Sequence, residues 1–158
     1  MYAGSETGLG TQLRLLLAHL DGELAALYKQ AGHEFRPRFY PVFQLLLDRD
    51  GALVSDIAHH LRTSQPAATQ TLAEMTRLDL VFYETGKDRR ERIVKLTPHA
   101  LKVAQDLEPI WDAVGRAASQ LDGELSHPLS AILNEALAAL ERTSFPERIA
   151  QSNTSQGD

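Results

Sequence analysis

The middle of the chain constrains the fold most, because two short helical patterns are joined there by a three-residue connection. Ser55 has a hydroxyl that can cap a helix over Asp56–Leu61, and Ser64 can cap a second helix over Gln65–Leu78. Pro66 lies in the first turn of the second helix, where a missing backbone N–H leaves no bond unmade. Two short helices with so tight a connection predict a helix-turn-helix.

Two β-rich runs follow these helices, Val81–Thr85 and Arg92–Thr97, on either side of a charged loop that begins at Gly86. Runs of this composition around a glycine-led loop predict a β-hairpin, which we call the wing. A helix-turn-helix followed by a hairpin is a winged helix. We therefore predict a mainly α fold with a small β-hairpin wing, and we place the winged helix-turn-helix domain at residues 36–97.

Long helices with apolar stripes are predicted on both sides of the wing. Apolar residues at spacings of three and four predict helices over Thr7–Gln30, Pro37–Asp48 and Pro128–Glu141. Pro98 opens another such helix, which Pro109 should bend or split because proline removes a helical hydrogen bond.

These outer helices carry more leucine, isoleucine and tryptophan than a single winged domain can cover, which indicates a homodimer. An enlarged monomer core is the alternative interpretation. We assign residues 7–35 to an N-terminal dimerisation helix, 98–142 to C-terminal dimerisation helices, and 143–158, where no apolar stripe is evident, to a mobile tail. The residues expected at the dimer interface are Leu9, Leu13, Leu16, Leu20, Trp111, Leu129, Leu133 and Leu137.

The winged segment is also the basic part of an acidic chain. From Arg62 to Lys95 there are seven cationic and five acidic residues, whereas the whole chain has a formal net charge of -5. Because the acidic remainder repels DNA, this segment is the face that a duplex can approach. An arginine-rich hairpin tip beside a helix-turn-helix can reach the adjacent minor groove. A solvated turn in which acids pair with the arginines is the alternative interpretation, and the two are compatible.

The predicted DNA contacts form two sets. The outer face of the second helix, near its N-terminus, can touch base edges in the major groove, where glutamine suits adenine and threonine or alanine meets a thymine methyl. A merely solvent-exposed polar face is the alternative. In the wing, Asp88 is expected to brace Arg90 while Arg89 projects. The expected DNA-binding residues are Ser64, Gln65, Ala67, Thr69, Gln70 and Thr71 on the helix, and Lys87, Arg89, Arg90 and Arg92 on the wing.

Composition argues against several other classes of protein. The chain has no cysteine, which excludes disulfides and thiolate metal sites, and its six histidines show no clear ligand spacing. We expect neither a metal nor a cofactor. No apolar run approaches the roughly 18 residues that span a bilayer, so we expect a cytoplasmic protein without a membrane partner. No catalytic constellation stands out, and we expect no enzyme.

Three short motifs, in order, resemble the signature of the MarR family of winged-helix transcription regulators: Leu80-Val81, Asp88-Arg89-Arg90 and Val94-Lys95-Leu96-Thr97-Pro98. The helix order agrees along the chain from Leu9 to Glu141. The resemblance implies a homodimer whose first and last helices interlock, with two winged domains on a pseudo-palindromic operator in double-stranded DNA. It also implies a small effector, often an anionic aromatic, that binds between the dimer helices and the DNA-binding domain.

The chain departs from that signature at four positions. Asp79 stands where glycine usually precedes Leu-Val, at a left-handed position that aspartate tolerates at modest cost. Tyr83 and Gln70 stand where arginines are common, and Ala100 where glycine usually follows Thr-Pro. Having fewer cations predicts weaker and less salt-dependent DNA binding than that of a typical member.

A ligand pocket is expected where the first two helices border the cleft above the DNA-binding domain. Aromatic and cationic side chains there would suit an aromatic carboxylate, whereas the alternative is that the phenylalanines are core and the arginines exposed. The candidates are Arg14, His19, Arg36, Arg38, Phe39, Tyr40 and Phe43. The expected function is a homodimeric transcriptional repressor released by a small ligand. The alternative is a winged-helix protein-interaction module without ligand response.

Overall fold

The computed structural model describes residues 8–88 and 91–154, and it divides the chain into two compact units, residues 1–110 and 111–158. The helices are α1 (Leu9–Gln30), α2 (Tyr40–Asp48), α3 (Val54–His60), α4 (Gln65–Arg77), α5 (Pro98–Glu124), α6 (Leu129–Arg142) and α7 (Phe145–Thr154). The strands are β1 (Ala52–Leu53), β2 (Val81–Thr85) and β3 (Arg92–Leu96), and a 3-10 helix, Pro37–Phe39, precedes α2. The predicted fold class is confirmed: a mainly helical chain with a small antiparallel wing.

The core of the first unit is built around four aromatic rings. Phe35, in the loop after α1, packs edge-to-face against Tyr28, Phe39 and Phe43, with ring centroids 5.0, 5.6 and 4.9 Å away. All four side chains are buried, and edge-to-face geometry adds to the stabilisation that burial provides. This cluster fixes the start of α2 against the end of α1.

Three of the helices in this unit end at residues in the left-handed conformation. Gly32, Arg62 and Asp79 have φ values of 87, 50 and 55°, and each donates its backbone N–H to a carbonyl three residues back. The next residue in each case donates to a carbonyl five residues back, which completes a Schellman motif. Asp79 therefore adopts the left-handed conformation predicted for it, and Arg62 makes the connection between α3 and α4 tight.

The wing sheet has the strand order β1-β3-β2 and is antiparallel throughout. Val81 pairs with Leu96 and Tyr83 with Val94, and the buried Val81 and Val94 attach the base of the hairpin to the core. Gly51, just before β1, has a φ of 104°, and a Cβ there would lie 2.6 Å from Ile93 Cγ2. Only glycine fits this approach of the chain to β3.

Thr97 is a buried polar residue that joins two segments of the first unit. Its hydroxyl donates to the Asp79 carbonyl at 2.6 Å and accepts the Ala100 N–H at 2.9 Å. The second bond caps the N-terminus of α5. Thr97 N–H also donates to the Leu80 carbonyl at 3.1 Å, so one residue ties the end of α4 to both β3 and α5.

Helix α5 continues through Pro109, which lies inside it. Of the two predicted effects of Pro109, a bend or a split, the split does not occur. Pro109 and Gln105, the residue whose carbonyl loses its helical N–H partner, are both exposed. Water can donate a hydrogen bond to the Gln105 carbonyl in place of the missing N–H. Helix α3 also differs from the prediction: it begins at Val54 after the extended Leu53, so Ser55 lies within the helix and does not cap it.

In the second unit, Asp122 near the end of α5 caps the start of α6. Its carboxylate accepts the Ser130 N–H at 3.2 Å and the Ser130 hydroxyl. These bonds, the hydroxyl bond first, lower the pKa of Asp122. The residues of α6, all of them described, include none that is buried, although the helix has a clear apolar face.

The segment predicted to be a mobile tail contains the helix α7, which was not predicted from the sequence. Ser144 and Glu147 form a reciprocal capping box: Glu147 Oε2 accepts the Ser144 N–H at 2.7 Å, and Ser144 Oγ accepts the Glu147 N–H at 3.4 Å. Arg148 donates to the carbonyls of Thr143 and Ala139 at 3.1 and 2.9 Å, which occupies the free end of α6. The cap and this arginine start α7 where no apolar stripe predicted a helix.

Candidate nucleic-acid interface

Helix α4 presents a capped N-terminus and a polar outer face. Ser64 Oγ accepts the Ala67 N–H at 3.3 Å, as its sequence position predicts. The inner face, formed by Ala68, Leu72 and Met75, is fully buried and fixes how the helix is rotated. Of the six predicted contact residues, five are exposed and Thr71 is half-buried. The structure thus brings Ser64, Gln65, Ala67, Thr69, Gln70 and Thr71 onto one element, around its solvent-facing start.

The wing loop is closed by backbone hydrogen bonds at its two ends. Gly86 N–H donates to the Glu91 carbonyl and Glu91 N–H to the Asp88 carbonyl, both at 2.9 Å. A Cβ on residue 86 would lie 2.9 Å from the Glu91 Cβ, so the two ends of the loop can approach this closely because residue 86 is glycine. Lys87 is exposed. Arg89 and Arg90 lie outside the described residues, and the predicted brace between Asp88 and Arg90 does so with them.

The side chain of Arg92, at the start of β3, is oriented by an aromatic ring. Its guanidinium carbon lies 4.4 Å from the centroid of the Tyr83 ring, a cation–π contact between diagonal neighbours of the hairpin. The side chain stays exposed. Tyr83, noted in the sequence as a departure from an expected arginine, therefore orients another arginine on the same hairpin.

Lys95, the last cation of the basic segment, is paired with two carboxylates at the wing sheet. Its ammonium lies 2.9 Å from Glu84 and 3.4 Å from Asp50. The hydrogen bond to Glu84 is the main cause that raises the pKa of Lys95. Lys95 thus joins β3 to β2 and to the turn before β1.

A second basic cluster, which sequence patterns did not indicate, lies beside α4. Glu74, on that helix, forms an ion pair with Arg36 at 2.8 Å and accepts a hydrogen bond from Arg38 through its other carboxylate oxygen. The Arg38 guanidinium also lies 5.8 Å from the centroid of the Phe39 ring. The two arginines come from the segment before α2, so no spacing along one helix could have revealed the contact.

The residues predicted to line a ligand pocket do not converge. Phe39 and Phe43 are fully buried in the aromatic core, as in the alternative interpretation, and Arg36 and Arg38 are engaged with Glu74. Arg14, His19 and Tyr40 are exposed. Helical spacing predicted a shared face correctly for α2, but that face packs into the core.

A cavity of about 220 Å³ lies elsewhere in the first unit, between the loop after α1, the end of α4 and the start of α5. His33 at its rim lies 3.0 Å from Asp106 on α5. The lining residues are Gly32, His33, Glu34, Phe35, Leu78, Leu80, His99 and Val103. None of the seven predicted pocket residues lines this cavity.

The predicted dimer residues are mostly uncovered in the single chain. On α1, Leu9, Leu13 and Leu20 are exposed and Leu16 is half-buried. In the second unit, Leu133 and Leu137 are exposed, while Trp111 and Leu129 are half-buried. Both units therefore have apolar helix faces that their own chain leaves in solvent.

Within residues 8–88 and 91–154, histidine and acidic side chains form no group of three that could hold a metal ion. The same residues include no helix that is both long and apolar enough to cross a bilayer.

No family model matches the sequence, and no curated protein is significantly similar to it. Solved structures do match. A DNA complex of MepR from S. aureus has a TM-score of 0.70 at 20% identity, covering 85% of this chain and 99% of that one. The M. tuberculosis transcriptional regulator MOSR, in complex with DNA, has a TM-score of 0.69 at 17% identity, covering 87% and 99%.

A MarR protein from Peptoclostridium difficile has a TM-score of 0.65 at 12% identity, covering 90% of each chain. These coverages of 85–90% of this chain are much larger than residues 36–97, so each match includes helices outside the winged segment. The chain therefore has the winged-helix fold of the MarR-type transcription regulators.

Proposed function

We propose that this chain is a sequence-specific, double-stranded DNA-binding transcription regulator that acts by binding and not as an enzyme, in the cytoplasm. The observation that carries the proposal is the capped, outward-facing start of α4 beside a closed hairpin with a basic tip. A helix N-terminus of this kind can enter the major groove, and its free N–H groups can hold a phosphate. MepR and MOSR have the same fold and were solved with DNA.

We propose a division of roles between the two elements. The contact face of α4 is uncharged, so it supports base recognition and contributes little to electrostatic attraction. The wing residues Lys87, Arg89, Arg90 and Arg92 would contribute the salt-dependent part of the affinity.

A mobility-shift assay with duplex DNA at two salt concentrations tests the proposal, using fragments that include the region upstream of the protein's own gene. We expect a shift that weakens as salt rises. Absence of a salt-sensitive shift with every fragment, and with duplexes selected from a random pool, would contradict DNA binding and favour a protein-interaction module.

Two substitutions separate the roles of helix and wing. Arg89→Ala should weaken binding to all sequences and lower the slope of log K against log salt by about 0.9. Gln70→Ala should instead change which bases are preferred, by about 1–3 kcal/mol at one position. If Gln70→Ala left the selected sequence unchanged, α4 would not be the recognition element.

We propose that the regulator is a homodimer, with α1 and the C-terminal helices at the interface. The exposed leucines of α1 and α6 support this, because apolar faces of this extent on a single chain are usually covered by a partner. Sedimentation should give twice the chain mass. Leu20→Asp should shift the mass towards the monomer, whereas Leu47→Asp, an equally exposed leucine on α2, should not.

We also propose that the protein represses transcription and that a small anionic aromatic ligand releases it. Support for the ligand is the fold alone, since the residues expected at a pocket do not converge: two are core, two are paired with Glu74 and three are exposed. Salicylate-like acids should lower operator affinity and raise Tm. Only a ligand with different affinities for the free and DNA-bound conformations can change operator affinity. A full panel of such acids that changed neither operator affinity nor Tm would refute this mode of control.

A further inference from the structure

One half-buried carboxylate on α4, that of Glu74, holds two arginines that remain half in solvent. The side chain of Glu74 is 15% exposed, whereas those of Arg36 and Arg38 are 52% and 53% exposed. Each arginine reaches a different oxygen of the same carboxylate through one terminal nitrogen. The carboxylate is thus occupied, and the outer parts of both guanidinium groups face water.

The cluster has more positive charge than its internal pairing needs. Two guanidinium groups share one negative charge, which leaves a net positive charge at this point of an acidic chain. A guanidinium has five N–H donors, and a single bond to a carboxylate leaves most of them available for an anion. Its planar fork suits the oxygens of a phosphate.

The position of Glu74 places this charge at the flank of the recognition helix. Glu74 follows Gln70 by four residues and Thr71 by three, so it lies on the same side of α4, about one turn or 5.4 Å further along. A helix in the major groove, which is about 12 Å wide, has a sugar-phosphate backbone along each flank. The arginines held at Glu74 would then be near one of these backbones if Gln70 faced the bases.

We propose that Arg36 and Arg38 form a phosphate site, with Glu74 as the positioning residue, that binds the DNA backbone beside α4. The inference rests on the proposed DNA-binding function and adds a contact from the segment before α2 to those of α4 and the wing. A pair that served only to clip this segment to α4 would need one arginine for one carboxylate. The second arginine and the exposure of both are accounted for by an anion outside the protein.

The test is fluorescence anisotropy of the full chain with the tightest-binding duplex selected from a random pool, measured over a series of salt concentrations. In the double variant Arg36→Gln, Arg38→Gln we expect binding at low salt to weaken by about tenfold or more. The slope of log K against log salt should fall by about 2 for each copy bound, with the selected base sequence unchanged.

Three controls keep the result interpretable. Arg49→Gln removes one cation at the other end of α2 and should leave the salt slope within error of the wild type. Arg36→Lys with Arg38→Lys keeps the charge and should restore most of the slope. Circular dichroism should show that each variant has a native helix content. If the double glutamine variant unfolds, the single variant Arg36→Gln, which retains the Arg38–Glu74 pair, decides the outcome: its salt slope should fall by about 0.9 for each copy bound.

An unchanged salt slope in folded Arg36→Gln, Arg38→Gln protein would overturn the site and leave only a structural clip. A wild-type protein that bound no duplex would refute the proposed function itself, so the two failures are distinguishable. Competition by inorganic phosphate at constant ionic strength, lost in the double variant, would reassign the pair to a free anion and overturn the backbone contact.

Discussion

Replacing Thr97 with valine removes a hydroxyl that joins the end of α4 to the start of α5. Valine has nearly the same shape, so the change leaves no cavity and isolates the hydrogen bonds. Loss of the bond from the Ala100 N–H removes a helix cap, which costs about 1 kcal/mol. Loss of the bond to the Asp79 carbonyl leaves a part-buried acceptor unpaired and costs about 1 kcal/mol more. We expect Thr97→Val to lower the free energy of unfolding by about 2 kcal/mol.

Urea unfolding followed by far-ultraviolet circular dichroism measures this change, at one fixed protein concentration because dimerisation would contribute to stability. Thr97→Ser retains the hydroxyl and should be less destabilising than Thr97→Val. Thr63→Val, at an exposed threonine in the α3–α4 turn, should change stability by less than about 0.5 kcal/mol. A Thr97→Val protein as stable as the Thr63→Val protein, or more stable than Thr97→Ser, would refute the reasoning.

Three further substitutions probe other parts of the structure. Leu72→Ala, on the buried face of α4, should lower the free energy of unfolding by about 2–5 kcal/mol in the same urea assay. Gly51→Ala should destabilise by more than about 1 kcal/mol, since a Cβ meets Ile93 and φ is positive. Ser144→Ala removes the hydroxyl that accepts the Glu147 N–H, so it should raise the rate of amide hydrogen exchange in α7. The Ser144 hydrogen bonds, the backbone bond first, lower the pKa of Glu147, so this cap should be complete above pH 4.5 and lost as pH falls below it.

The winged segment could be predicted from sequence because its signals are local. The cap at Ser64 and the proline in the first turn determine where α4 begins, and the observed helix begins there. The glycine-led loop between two β-rich runs determined the hairpin in the same way. The left-handed conformation of Asp79 was predicted from the resemblance to the MarR-family signature, in which glycine usually stands at this position.

The contacts that could not be predicted join residues far apart in sequence. Arg38 and Glu74 are separated by 36 positions, and periodicity within each helix carries no information about that pairing. Phe35 lies in a loop, where no apolar spacing identifies it, yet it is the centre of the aromatic cluster. The same spacing on α2 identified Phe39 and Phe43 as one face and could not tell whether a ligand or the core covers it.

Helix α7 was missed for a different reason, because its signal was present in the sequence. Ser144 and Glu147 have the spacing of a capping box, and Pro146 stands in the first turn. Phe145 and Ile149, four residues apart, supply a short apolar face. A helix that is specified mainly by its capping residues is not predicted when an apolar stripe is the only criterion.

The left-handed backbone conformation of Asp79 affects how this protein can evolve. Any residue with a side chain is strained in that conformation by about 1 kcal/mol relative to glycine. Both aspartate codons differ from a glycine codon by a single base. The joint between the recognition helix and the wing can therefore gain stability in one mutational step that alters no proposed DNA contact, and that gain could offset a destabilising substitution at a position that changes sequence preference.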